Sequence, residues 1–172
     1  GAKRTSSSRT VVDASSPVVY TRLAWTRFYG ALLPQLVYTV WFAQRPPRFI
    51  GDPLAGRLDG LIWRVTLDRD GAPLLFDTIH PCGCYHQFVP TARLVAKPAE
   101  PGVEEGALVV QTLPELPVGA RVRLHVAAGT HYLRRVEPVA AGGAPAPGED
   151  RYRLDRGSAL RTLPLAAGGT AS

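Results

Sequence analysis

Two strand-like segments joined by a tight turn constrain the fold of this chain more than any other feature. Residues 61–67 and 73–79 are rich in β-branched, aromatic and other apolar side chains, and Asp68 to Gly71 lie between them. An Asp-Gly pair in such a connection is a strong hairpin signal, because glycine readily adopts the positive φ that tight hairpin turns require. The sequence therefore predicts an antiparallel pair of strands with Asp70-Gly71 at its turn.

Other segments of the chain also have the composition or the alternation of strands. Residues 35–42 and 107–113 are rich in β-branched, aromatic or other apolar side chains. Residues 121–126 and 130–136 alternate polar with apolar side chains around a short connection, and residues 151–165 are expected to add a last strand. Together these patterns predict a mostly antiparallel β-sheet built from hairpins.

One helix is predicted near the amino terminus, between residues 17 and 34. Ser16 followed by Pro17 is typical of a helix start, because serine caps backbone N–H groups and proline fits the first helical position. Pro34 is expected to end the helix. The apolar residues that recur at helical spacing are Val19, Leu23, Ala24, Phe28 and Leu32. We therefore predict an α+β domain in which this one N-terminal helix packs on the sheet.

Length and composition predict a single domain. A chain of 172 residues is large enough to bury a core without depending on disulfides or a metal ion. Residues 1–16 are polar, Ser-rich and basic and are expected to be mobile, residues 17–165 to form the domain, and residues 166–172 to form a flexible tail. The chain begins with Gly1 and contains no methionine, which indicates a processed form or a fragment of a longer protein.

The charge of the chain does not favour a nucleic-acid partner. The net charge of +6 comes from 18 Arg and 2 Lys against 14 acidic residues. Eight arginines lie between Arg121 and Arg161, but four acidic residues separate them, which is more typical of a solvated surface. The longest uncharged apolar run, residues 28–42, is shorter than the roughly 20 residues that a membrane-spanning helix needs. We therefore expect a soluble domain without a transmembrane span.

Chemically reactive side chains are concentrated in residues 80–86, directly after the predicted hairpin. Four residues of metal-ligand type occupy every second position, namely His80, Cys82, Cys84 and His86. An extended chain would place all four on one face but spread them over about 20 Å, whereas zinc bonds are only about 2.0–2.3 Å long. Pro81 and Gly83 allow the chain to curl. The segment is therefore predicted as a tight loop carried by the end of a firm strand.

The leading functional prediction is a transition-metal-binding domain that uses this His-x-Cys-x-Cys-x-His loop. Thiolate and imidazole ligands suit zinc, and after it copper(I), and they argue against magnesium or calcium. His131 follows a turn in the second predicted hairpin and is the expected ligand from outside the loop, whereas His125 shares a face with arginines. Asp77 is expected either to orient a ligand histidine by a hydrogen bond or to be a plain surface acid. The role of the metal, structural or catalytic, stays open.

The same loop supports alternative functions. Cys82 and Cys84 are compatible with a disulfide in a non-catalytic β-rich interaction module, or with small buried side chains near a turn. A cysteine-dependent hydrolase or thiol oxidoreductase would pair Cys84 with His86 or His131, and zinc with an open position would support hydrolysis. The chain has no GxSxG elbow, no phosphate loop and no dinucleotide-binding glycine pattern. The sequence thus predicts a site but leaves its substrate and its cellular compartment open.

Overall fold

Strands are the main regular secondary structure in the described part of the chain, which contains no α-helix. The structure is a computed structural model that describes residues 2–4, 10–95, 97, 102, 106–140 and 151–163. The elements within these residues are β1 (Ala2–Arg4), β2 (Thr10–Val12), β3 (Val18–Phe28), β4 (Ala31–Arg45), β5 (Gly56–Leu67), β6 (Pro73–Ile79), β7 (Gln87–Pro90), β8 (Leu108–Val109), β9 (Arg121–Val126), β10 (Leu133–Val139), β11 (Arg153–Arg156) and one 3-10 helix (Gly157–Arg161). No helix in the described part of the chain is long and apolar enough to cross a membrane.

Seven of these strands form one sheet in the order β11-β3-β4-β5-β6-β7-β8. The five consecutive strands from β3 to β7 are an antiparallel meander. The outer strands β11 and β8 lie parallel to β3 and β7. Strands β9 and β10 form a separate antiparallel hairpin. The segment predicted to be mobile, residues 1–16, contains β1 and β2, which pair with each other. The predicted tail at residues 166–172 lies outside the described residues.

Both predicted hairpins are confirmed. Strands β5 and β6 pair from Ile62 with Ile79 to Leu67 with Pro73. Their turn is closed by a hydrogen bond from the N–H of Gly71 to the carbonyl of Asp68, and Gly71 has a φ of +82°. Strands β9 and β10 pair in the same antiparallel manner. The composition of these segments was therefore sufficient to predict their pairing.

The predicted N-terminal helix is wrong, and with it the α+β class. Residues 17–34 form β3, a turn and the beginning of β4. The turn is Tyr29-Gly30, where both residues have positive φ, as in the tight turns that join antiparallel strands. Pro34 lies inside β4 and pairs with Trp25 of β3, so it does not end a helix. The segment is rich in valine, threonine and aromatic residues, which favour strands.

The core lies between the meander and the β9-β10 hairpin. Its buried apolar members are Trp63, Val65, Phe76, Val89, Leu113, Leu116, Leu133 and Val136. Trp63 of β5 and Phe76 of β6 stack with their ring centroids 5.3 Å apart. Leu133 and Val136 of β10 cover this surface. This packing places the turn before β10 close to the end of β6.

Gln111 fastens β10 to the segment that follows β8. Its side-chain N–H donates to the carbonyl of Val136 at 2.8 Å, and its side-chain oxygen accepts the N–H of Val136 at 2.9 Å. Gln111→Ala leaves both backbone groups without these partners, so we expect the free energy of unfolding to fall by about 1–3 kcal/mol. Urea denaturation measures this change. The exposed Gln44→Ala is the control, and equal stability of the two variants would contradict the expectation.

Candidate functional site

Four segments that are distant in sequence meet beyond the end of β6. The end of β4 contributes Arg45, the beginning of β5 contributes Asp59, and the first residue after β6 is His80. Tyr85 comes from the loop between β6 and β7, and His131 and Tyr132 come from the turn before β10. These six residues, Arg45, Asp59, His80, Tyr85, His131 and Tyr132, are called the Asp59 cluster. They bring one carboxylate, two imidazoles, one guanidinium and two phenols together.

Asp59 is the centre of this cluster because its carboxylate is shared by two imidazoles. Its Oδ2 lies 2.6 Å from Nδ1 of His131, and its Oδ1 lies 3.3 Å from Nδ1 of His80. The N–H of Gly60 donates to Oδ1 at 2.8 Å. Burial alone would raise the pKa of Asp59, but the hydrogen bonds from His131 and Gly60 and the nearby His80 outweigh it and lower the pKa. Asp59 is therefore ionised at neutral pH and accepts hydrogen bonds from both Nδ1 atoms.

His80 presents a buried ring nitrogen that has no partner. The residue is only 3% exposed, and its Nε2 has no hydrogen-bond partner among the described residues. The rings of Tyr85 and Tyr132 stand edge-on to the imidazole at centroid distances of 5.6 and 5.5 Å. In the neutral ring, Asp59 favours the tautomer with the proton on Nδ1 and the lone pair on Nε2. This atom is available to accept a proton or to bind a metal ion.

Arg45 places a buried positive charge against the two tyrosines that flank this imidazole. It is 6% exposed, its Nη2 donates to the hydroxyl of Tyr132 at 3.0 Å, and its Nε has no partner among the described residues. The guanidinium carbon lies 5.0 and 5.9 Å from the ring centroids of Tyr132 and Tyr85. The hydrogen bond with Tyr132 is the main reason that the pKa of Tyr85 is raised. The unpartnered Nε–H and the tyrosine hydroxyls are donors suited to an anionic group.

The backbone around the Asp59 cluster is locally strained. Four non-glycine residues in the described part of the chain have positive φ, and three of them, Leu58, Tyr85 and His131, belong to the cluster or adjoin it. Such conformations cost roughly 1–3 kcal/mol each and concentrate at functional sites. The His131 ring also stacks in parallel on Phe42, with the centroids 3.8 Å apart. Packing in the folded protein thus offsets the free-energy cost of these backbone conformations.

Residues 80–86, called the cysteine loop, form the tight loop that Pro81 and Gly83 predicted. The N–H of Gly83 donates to the carbonyl of His80 at 2.8 Å, and the N–H of His80 donates to the carbonyl of Cys84 at 3.1 Å. Cys82 and Cys84 are exposed free thiols, which excludes the alternative that they are small buried side chains. The hydrogen bond with Cys82 raises the pKa of Cys84, so Cys84 is not activated as a thiolate.

His86 belongs to a different site from His80. Its Nε2 lies 3.1 Å from Oδ1 of Asp77 and 2.7 Å from Nη2 of Arg64. Asp77 is buried and forms an ion pair with Arg64, so it is not a plain surface acid. Arg64 and Asp59 lie on opposite faces of β5, because side chains alternate along a strand. The even spacing of the two histidines therefore does not bring them together.

The five predicted metal ligands thus fall in three places. His80 and His131 meet at Asp59, the two thiols lie on the exposed loop, and His86 lies at Asp77. Within the residues that the structure describes, no three His, Cys, Asp or Glu side chains are arranged to hold a metal ion. The structure therefore brings two of the predicted ligands together but does not assemble the predicted set.

Sequence reasoning missed Asp59 and Arg45. The segment around Asp59 has the glycine, proline and aspartate content of a loop, yet β5 already begins at Gly56. A signal was present, because Asp59 continues the alternating series of Leu61, Trp63 and Val65 on one face of the strand. A carboxylate on an otherwise apolar face must find polar partners when it is buried.

Comparison of the chain with protein-family models, with curated proteins and with solved structures gave no match. The functional proposal below therefore depends on the geometry of the Asp59 cluster.

Proposed function

We propose that the protein is a hydrolase in which His80 acts as the general base. The observation that carries the proposal is the His80 ring itself, whose Nδ1 lies at the carboxylate of Asp59 while its buried Nε2 has no partner among the described residues. Hydrolases commonly prepare a histidine in this way, because the carboxylate fixes the tautomer and stabilises the imidazolium that forms.

The other members of the Asp59 cluster have complementary roles in this proposal. Nε2 of His80 takes a proton from a water molecule whose oxygen attacks the carbonyl carbon or phosphorus atom of an ester. The negative charge that develops on the substrate oxygen is stabilised by the Nε–H of Arg45 and the hydroxyl of Tyr132. His80 then returns the proton to the leaving alcohol. Tyr85 is partly exposed and packs against His80, so a rotation of its side chain would open a path to Nε2.

Transition-metal binding, zinc before copper, is the second candidate function. It is favoured by the same geometry, because histidines that bind a metal usually donate their other ring N–H to a carboxylate. His131 supplies a second imidazole at the same carboxylate. Metal binding requires the side chains to rearrange, since no three-ligand group exists in the described residues as they lie. A cysteine-dependent hydrolase is less favoured, because the pKa of Cys84 is raised.

The first test of the proposal is the protonation state of His80. Long-range 15N–1H spectra of histidine-labelled protein at neutral pH are expected to show His80 as the neutral Nδ1–H tautomer, with its signal assigned from its loss in His80→Asn. A neutral Nε2–H tautomer, or a ring protonated on both nitrogens at neutral pH, would contradict a role as general base.

The second test is hydrolysis of a panel of chromogenic carboxylic and phosphoric esters. We expect His80→Asn to lower kcat/KM by about 10²–10⁴, the usual contribution of general-base catalysis. The control is His125→Asn, because His125 lies away from the cluster at Glu137. Activity that is unchanged by a chelator supports the base mechanism, whereas activity that requires added zinc supports the metal candidate. A His80→Asn variant as active as the control would contradict both.

A further inference from the structure

The two thiols of the cysteine loop have no role in the proposed hydrolysis, yet their arrangement is specific. Cys82 and Cys84 are free, exposed and separated by a single glycine. The N–H of Cys84 lies 3.4 Å from Sγ of Cys82, so the Cys82 sulfur folds back over the following residues. The loop therefore presents two neighbouring sulfurs to the solvent.

The backbone of this loop turns sharply between the two cysteines. Gly83 has a φ of +86°, and apart from its two chain neighbours no described atom lies within 4 Å of the position that a side chain would occupy there. Hydrogen bonds between the backbone of His80 and both Gly83 and Cys84 close the turn. Cysteines can be bridged when their Cα atoms lie about 4.4–6.8 Å apart, which a tight turn at one intervening residue allows.

The two thiols are chemically unequal. The backbone N–H of Cys84 is directed at Sγ of Cys82 and can donate a hydrogen bond to negative charge on that sulfur. The contact with Cys82 raises the pKa of Cys84, which keeps the second sulfur protonated. Cys82 is thus suited to attack a disulfide, and Cys84 is suited to act in the following step.

We propose that Cys82 and Cys84 are a redox-active dithiol that exchanges with disulfides of a thiol-containing partner. The Cys82 thiolate attacks one sulfur of the partner disulfide, forms a mixed disulfide and releases the first partner thiolate. Cys84 then loses its proton and attacks Sγ of Cys82, which releases the second partner thiolate and closes the Cys82–Cys84 disulfide. Two electrons pass from the cysteine pair to the partner disulfide, and the reverse sequence returns them.

The test uses glutathione disulfide as the partner. The reduced full chain is incubated without oxygen in buffers with different ratios of reduced to oxidised glutathione, quenched with acid, alkylated and analysed by mass spectrometry. We expect the chain to convert from two alkylated thiols to an intramolecular disulfide as the ratio falls, with little mixed disulfide. Stable addition of glutathione to both cysteines, or two free thiols in the most oxidising buffer, would overturn the proposal.

Single variants test the order of the two steps. Cys84→Ser is expected to accumulate the mixed disulfide at Cys82, because the second sulfur is missing. Cys82→Ser is expected to react with glutathione disulfide about tenfold more slowly, because the sulfur at which the N–H of Cys84 is directed is missing. Both positions are exposed, and circular dichroism checks that the variants are folded. Equal rates for the two variants would overturn the assignment of Cys82 as the attacking sulfur.

Discussion

Asp59→Asn is expected to lower the free energy of unfolding by about 2–4 kcal/mol. A buried donor that loses its acceptor costs about 1–3 kcal/mol, and more when the lost acceptor is charged. The two imidazoles face different oxygens of the carboxylate, and asparagine replaces one of these oxygens with an NH2 group that cannot accept a hydrogen bond, so only one imidazole keeps its acceptor. The other imidazole must move its proton to Nε2 or lose its partner. Urea denaturation measures the stability.

The same variant tests the proposed function through the tautomer of His80. If the proton moves to Nε2, His80 can no longer act as a base, and hydrolysis is expected to fall together with the loss of the Nδ1–H signal. The control is Asp70→Asn, whose exposed carboxylate pairs with Arg93 and is expected to leave the stability nearly unchanged. An Asp59→Asn protein as stable as this control would contradict the central position of the carboxylate.

The lowered pKa of Asp59 determines how the stability that its carboxylate contributes changes with pH. Its pKa in the folded protein is lowered from the ordinary value of 3.8. A carboxylate of this kind stabilises the fold above the unfolded pKa, and that stability is lost as the pH falls through the folded pKa. The part of the stability difference between wild type and Asp59→Asn that comes from the carboxylate is therefore expected to persist at neutral pH and to disappear below pH 3.8.

Phe76→Ala is expected to destabilise the protein by about 3–5 kcal/mol, the usual cost of truncating a buried phenylalanine. Phe76 is 2% exposed, stacks on Trp63 and belongs to the core that joins the meander to β10. The cavity would loosen the support of the turn that carries His131. Thermal and urea denaturation measure the change, with the exposed Phe49→Ala as the control. A loss below about 1 kcal/mol would show that the core relaxes around the cavity.

The strands were predictable where composition, alternation and a turn signal agreed, as in β5 and β6. The segment from residue 17 to 34 was misassigned because apolar residues four positions apart fit the period of a helix and the period of a strand equally well. Val19 and Leu23 share a face in a strand as well as in a helix. The Tyr29-Gly30 turn was the signal that distinguished the two. Pro34 is tolerated because it lies just beyond the part of β4 that pairs with β5, where no hydrogen bond to β5 is lost.

The site was only partly predictable, because local sequence patterns do not show which distant residues meet. His131 was expected near the cysteine loop because it follows a turn, and in the structure it shares the Asp59 carboxylate with His80, while its role as a ligand stays a prediction. The contact of His131 with Asp59 joins residues 72 positions apart, which no local pattern reveals. The predicted curl at Pro81 and Gly83 was expected to let His80 and His86 hold one ion, but beyond the turn at Gly83 His86 lies at Asp77 instead. Local spacing thus indicated which residue types matter and not how they are grouped.

The short parallel strand β11 leaves most of the outer edge of β3 without a partner strand. An uncovered strand edge is a template on which a second chain can add, and β11 covers only Val18 to Thr21 of β3. The remainder of that edge carries the exposed Arg22 and Arg27. Positive charges at an edge oppose strand addition between identical molecules. The part of β3 that β11 leaves open is therefore guarded by charge and not by another strand.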